Sequence, residues 1–198
     1  MKSLRAGGLV LVTVIGLIWA HGALAQEGAT EPTTTESAAE PAPDPWAETP
    51  RTRDLKRRAL RLKVVARKLS KLTRHPRPSV SRTRADFDSL LRYRLSLRDA
   101  WRIRAERARR RAHHPPHLAE WRCIHRWEGS WTDPNSPYYG GLQMDFGFQR
   151  TYGPRLLRRK GTANHWAPYE QMWVAERALE AGRGFHPWPV AARWCGLI

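Results

Sequence analysis

The sequence predicts an α+β chain that is mainly α, and three observations carry that expectation. Between residues 51 and 115, apolar side chains recur at steps of three, four or seven, the spacing of one helical face. A shorter stripe of the same period runs up to residue 128. Tyr139-Gly140-Gly141-Leu142-Gln143 is too glycine-rich for helix and reads as a short strand or turn.

The chain divides into four stretches by composition. Residues 1–25 read as a secretory signal peptide: Lys2 and Arg5 are followed by an apolar run from Gly7 to Ala20, and Ala23-Leu24-Ala25 forms a small-x-small cleavage site. That run is shorter than the roughly 20 residues a membrane-spanning helix needs. An uncleaved signal acting as a membrane anchor is the alternative. Either way, the rest of the chain is expected outside the cytoplasm, secreted or in the cell wall.

Residues 26–50 hold six acids and no base among Thr, Ala and Pro, and read as a disordered linker. Residues 51–115 hold 23 lysines and arginines against five acids, a net +18, whereas residues 116–198 carry only +3. The formal charge of +17 therefore belongs to the middle segment. Such a charge suits nucleic acid or another polyanion, but the export signal and the lack of a DNA-binding motif argue against nucleic acid.

The basic segment reads as two amphipathic helices, a hairpin or stalk ahead of the last domain. Leu55, Leu62, Val65, Leu69 and Leu72 share one face, and Pro76 and Pro78 stop that helix. Thr83-x-x-Asp86 has the pattern of a capping box. Phe87, Leu90, Leu91, Leu97, Trp101, Ala105 and Ala108 then form a second stripe, ended by Pro115-Pro116.

In residues 116–198, His117 to Glu128 is a helix candidate with Leu118, Trp121, Ile124 and His125 on one face. Trp131 to Tyr139 contains Asp-Pro-Asn-Ser-Pro and must be loop. Asp145 is placed to cap a short helix through Tyr152. Pro168 opens a helix to about Ala181, with Gly182 as its stop. Outside the reducing cytosol, the only two cysteines, Cys123 and Cys195, are expected to form a disulfide closing a 72-residue loop; two buried free thiols are the alternative.

Glu128 continues the stripe of Trp121, Ile124 and His125. A carboxylate ending an apolar face is costly to ionise, which raises its pKa and suits a proton donor. A surface acid at a helix end fits the same periodicity.

The surrounding residues add more. Trp121, then Glu128-Gly129-Ser130-Trp131, then Tyr138-Tyr139-Gly140-Gly141-Leu142-Gln143-Met144 closely resemble the catalytic domain of resuscitation-promoting factors and related actinobacterial transglycosylase-like proteins. Glu170-Gln171, Ala175-Glu176-Arg177 and Trp188-Pro189-Val190 continue the likeness in order. The resemblance covers Leu118 to Leu197 and implies a small lysozyme-like domain acting on the glycan strands of peptidoglycan. It implies Glu128 as the acid and the Tyr139–Gln143 stretch as lining of the glycan cleft. Family members commonly carry Cys directly before that Glu; here Trp127 stands there, with Cys123 one turn earlier on the same helical side.

Sugar rings stack on exposed aromatic faces. Trp131, Tyr138, Tyr139 and Trp188 are the candidates to contact substrate, and Trp121, Trp173 and Trp194 are expected in the core. Gln143 can both donate and accept hydrogen bonds to a sugar. Asp133 and Asp145 are the acids nearest the cleft, but loop solvation and helix capping account for them. A single-acid lytic transglycosylase thus fits better than a two-carboxylate hydrolase; a hydrolytic muramidase and a non-catalytic wall-binding module are the alternatives. Teichoic acids and other wall polyanions are expected partners of the basic helices. His113-His114-Pro115-Pro116-His117 lacks an acidic or cysteine partner for a metal, and no cofactor is expected.

Overall fold

Thr49 opens the first helix. Its hydroxyl accepts from the Thr52 N–H, Thr52 Oγ1 accepts from the Thr49 N–H, and Pro50 is pre-set at the first helical position. Helix α1 spans Pro50–Leu72 and stops before Pro76. The computed structural model describes residues 41–198; the signal peptide at 1–25 and the linker residues 26–40 lie outside the described residues. The end of the linker departs from the disorder expected of it. The Leu90 N–H donates to the Pro45 carbonyl at 2.9 Å, and the Arg84 guanidinium lies 4.6 Å over the Trp46 ring.

Helix α2 spans Leu90–His113. The Thr83–Asp86 box is present but caps only a single 3-10 turn, Arg84–Asp86. Ser89 is the true N-cap, its hydroxyl accepting from the Arg92 N–H. Phe87 therefore lies ahead of the helix, edge-on to Tyr93 at 5.7 Å.

The two helices run parallel, not as a hairpin. Ala59 and Ala66 pack with Trp101 and Ala105, while Leu69, further along α1, packs with Ala108 and Ala112, further along α2. The 17 residues from Thr73 to Ser89 carry the chain back along the pair. At roughly 3.3 Å per extended residue they reach about 56 Å, more than the roughly 35 Å length of α1. Pro76 and Pro78 favour that extended path over a tight turn. Alanines at the centre of the seam let the backbones approach, and Trp101 fills the space beside them. The cations of Lys63 and Arg67 lie 5.8 and 5.7 Å over its ring.

Because the helices are parallel, both C-terminal ends reach the same neighbour. Helix α3 spans Leu118–Glu128, α4 Phe146–Tyr152, α5 Pro154–Lys160, α6 Pro168–Ala178 and α7 Pro189–Trp194. The Trp173 indole on α6 donates to the Ala112 carbonyl of α2 at 2.8 Å, and Arg177 donates to the Leu72 carbonyl of α1 at 3.0 Å. Tyr169 packs against Leu69, Ala108 and Ala112. Ala42–Ile198 forms one compact unit in consequence.

Deleting residues 51–115 is expected to strip the cover from Tyr169, Trp173 and Arg177. Melting of the truncated chain should fall well below that of the full chain. Equal melting temperatures would show that α1 and α2 add nothing to the stability of the remainder.

The main core gathers α3, α6 and α7 around Trp121, Ile124, Val174, Ala175, Trp188 and Ala191. Glu176, buried on α6, accepts from the His117 N–H, His117 Nδ1 and the Trp121 indole at 2.9, 2.9 and 2.8 Å. That carboxylate holds the start of α3 onto α6. At the middle of α3, Cys123 is bonded to Cys195 just past α7, with Cα atoms 6.0 Å apart. Strand β1, Tyr138–Tyr139, pairs antiparallel with β2, Met144–Asp145, in the register Tyr138↔Asp145 and Tyr139↔Met144. The described chain is thus mainly helical with one short two-stranded ribbon.

Candidate active site

Glu128 is the last residue of α3, one turn beyond Ile124 on the face that enters the core. It is half-buried, and desolvation pushes its carboxyl above the ordinary glutamate value. It has no hydrogen bond or ion pair among the described residues. Gly129 ends the helix with φ +137°, a conformation that favours glycine. A β-carbon there would stand 3.5 Å from Gln143 Nε2 and 3.6 Å from Asp133 Oδ2, which places both side chains beside the end of the helix.

The other acids of residues 116–198 that sequence reasoning weighed are committed elsewhere. Asp133 Oδ1 accepts from the Asn135 N–H and side-chain amide, and Oδ2 accepts from Gln143. Asp145 Oδ1 caps α4 through the Phe148 N–H at 2.7 Å, as its position predicted. Glu170 is buried, accepting from Lys160 and, at 2.9 Å, from the Ala167 N–H. Glu176 has the three bonds given above, and Glu180 pairs with Arg74. Glu120, half-buried, is the exception: it has no hydrogen bond or ion pair among the described residues.

Three side chains hold the glycine turn between β1 and β2. The buried Gln171 Oε1 accepts from the Gly141 N–H at 2.9 Å. Its Nε2 donates to the carbonyls of Trp131 and Ala163 at 2.8 and 2.9 Å, so one amide fastens both the turn and the preceding loop to α6. The Trp188 indole donates to the Leu142 carbonyl at 2.6 Å. The third hold is His125, whose Nδ1 lies 3.1 Å from the Gly141 carbonyl, an acceptor only, so Nδ1 carries the proton.

These contacts correct two expectations. Trp188 is 3% exposed, packed edge-on to Trp121 and Phe148, and has no face open to a sugar. It supports the turn from below instead. Trp194, expected in the core, is 61% exposed. Helix α7 buries Ala191 and Ala192, leaving Trp194 to meet the exposed Trp127 edge-on at 4.5 Å. Sequence periodicity cannot reveal that pairing, because it depends on how the Cys123–Cys195 bond seats α7.

The remaining candidates divide. Tyr138 is exposed and Tyr139 turns into the core. Trp131 is half-buried with one face stacked on His125 at 3.9 Å. Gln143 adopts φ +45° and spends its amide protons on Asp133 at 2.8 Å and the Gly140 carbonyl at 3.0 Å. Only its Oε1 is left to meet a ligand, as an acceptor. Gln171 was quoted in the sequence pattern without a role; a polar residue inside the buried face of α6 was the available signal.

A cavity of about 480 Å³ opens on the far side of the His125–Trp131 stack, lined also by His113, Arg122, Tyr169 and Met172. Glu128 lines neither this cavity nor a larger basic cleft between α1 and α4–α6.

Gly141 leaves no room for a side chain. A β-carbon there would lie 2.6 Å from His125 Nδ1 and 2.8 Å from Trp131 Cδ2. Gly141→Ala is expected to force the stacked rings apart and destabilise the fold by about 1–3 kcal/mol. Thermal melting with near-ultraviolet dichroism would register it, and an unchanged melting curve would contradict this packing.

Fold and site define a small helical protein with one desolvated, unpartnered carboxylate beside a buttressed glycine turn. No family model, characterised protein or solved structure matches the chain.

Proposed function

We propose that this chain is an exported enzyme that cleaves peptidoglycan glycan strands at the MurNAc–GlcNAc bond as a lytic transglycosylase. The observation that carries the reading is Glu128: it combines a raised proton affinity with freedom from any partner among the described residues. The resemblance of Glu128–Trp131 and Tyr138–Met144 to resuscitation-promoting factors supplies the substrate class. A small lysozyme-like domain over residues 116–198 is part of the same proposal.

Glu128, protonated, donates its proton to the glycosidic oxygen, and the GlcNAc side leaves as an alcohol. The resulting carboxylate takes the proton from the muramyl 6-hydroxyl. That oxygen bonds to the anomeric carbon and closes an anhydro ring, so the acid ends as it began. No second carboxylate is needed, which accords with the structural tasks of Asp133, Asp145, Glu170 and Glu176. Tyr138 and the Trp127–Trp194 pair offer exposed aromatic faces for sugar rings, and Gln143 Oε1 offers an acceptor for a hydroxyl or acetamido N–H. No cofactor or metal enters the scheme. The basic helices α1 and α2 would hold the enzyme to anionic wall polymers by charge.

Digestion of purified peptidoglycan followed by mass spectrometry of the fragments tests the reading. Anhydro-muramyl ends are expected. Reducing ends would instead make the protein a hydrolytic muramidase, and the absence of fragments would leave a wall-binding module.

A further inference from the structure

We propose that the cleft between the C-terminal half of α1 and helices α4–α6 binds a phosphate group. This site is separate from Glu128 and does not rest on the glycan-cleavage reading.

The cleft has a volume of about 840 Å³, and eight lysines and arginines line it against one carboxylate. That carboxylate, Glu170, is already bonded to Lys160 and the Ala167 N–H, so it neutralises none of the excess. Arg67, Lys71 and Arg74 come from α1 and its end, and Arg155, Arg159 and Arg177 from the opposite wall. Only Arg74 among these six has an ion pair, with Glu180 on the rim. Arg177 spends two donors on the Tyr152 and Leu72 carbonyls, which fixes its guanidinium between the walls.

Two further observations point to an anion as the ligand. Ser70 lies on the cleft wall, 1% exposed, and its hydroxyl has no partner among the described residues; Arg67 Nε is likewise buried and unpaired. Buried polar atoms left this way are rare and call for a ligand or a water. Burial first, and then the charge of Arg74, push the Arg177 guanidinium below its ordinary value; Glu180 pulls it back up, and Arg155 adds a smaller downward push. The cations are thus crowded beyond what the protein itself neutralises.

A phosphate fits better than a carboxylate. Its several oxygens accept from guanidinium forks on two walls at once, and it carries up to two charges on one centre. The volume leaves room for the group to belong to a larger molecule.

The test is calorimetric titration of the full chain with inorganic phosphate, beside acetate at matched ionic strength. Saturable binding of phosphate and none of acetate is expected. Arg155→Gln/Arg159→Gln should weaken it at least tenfold, and Ser70→Ala about tenfold, the effect of one hydrogen bond to a charged group. Arg107→Gln/Arg109→Gln removes the same charge from exposed positions on α2 outside the cleft and should leave the affinity unchanged. Equal binding of acetate, or equal loss in that control variant, would overturn the site in favour of diffuse attraction. Poly(glycerol phosphate) and phosphatidylglycerol vesicles, titrated in turn, then tell a polymer phosphodiester from a lipid headgroup.

Discussion

Glu128→Gln is expected to lose peptidoglycan cleavage by a hundredfold or more while keeping the fold. Glutamine matches the shape of the acid but has no acidic proton to donate, and a positioned general acid typically contributes about 10²–10⁴ in rate. The upward shift of the Glu128 carboxyl also sets two signs. Activity of the wild type should fall as pH rises through that shifted value, because the donor is then ionised.

Stability follows the same group. A folded pKa above the unfolded one contributes stability that is fully present below the unfolded value and lost as pH rises through the folded one. The neutral glutamine escapes that loss. Glu128→Gln should therefore gain in melting temperature over the wild type at pH 7 compared with pH 4. A well-folded variant that digests glycan normally would remove Glu128 from the chemistry. A stability difference independent of pH would show that the carboxyl is not desolvated.

The second large effect is expected from the disulfide. Cys123 and Cys195 close a 72-residue loop. On the chain-entropy account, that constraint on the unfolded chain is worth about 4 kcal/mol. At roughly 2–4 °C per kcal/mol for a chain of this size, reduction or Cys123→Ser/Cys195→Ser should lower melting by about 10 °C. The bond also fixes α7 against α3, so the Trp127–Trp194 pair should loosen and tryptophan fluorescence should shift. Loss of less than about 3 °C would mean that packing of Ala191 and Ala192 already holds α7 without the bond.

Much of this was legible in the residues. Apolar spacing placed α1, α2, α3 and α6, and Pro168 and Asp145 stand at helix starts where their chemistry fits. Glycines marked the turn after Tyr139, and the two cysteines could pair in one way. These features are local, set by side chains a few residues apart, so a linear pattern suffices. Glu128 was a candidate as the next position on an apolar stripe, and the likeness of the residues around it, not the periodicity, singled it out.

What the sequence could not decide depends on contacts between distant segments. The apolar stripes of α1 and α2 read identically for an antiparallel hairpin and for the parallel pair that the alanine seam, the long return of Thr73–Ser89 and the docking on α6 select. Trp188 and Trp194 are alike as residues. One is buried because Leu142 offers its indole an acceptor and Trp121 an edge, and the other is exposed because α7 turns alanines inward. The charge of residues 51–115 was plain in the sequence, but the cleft was not: three of its eight lysines and arginines lie on α5 and α6, more than seventy residues further on. Only folding brings those like charges together, against their mutual repulsion, because the apolar burial of Leu69, Tyr169 and Trp173 outweighs it.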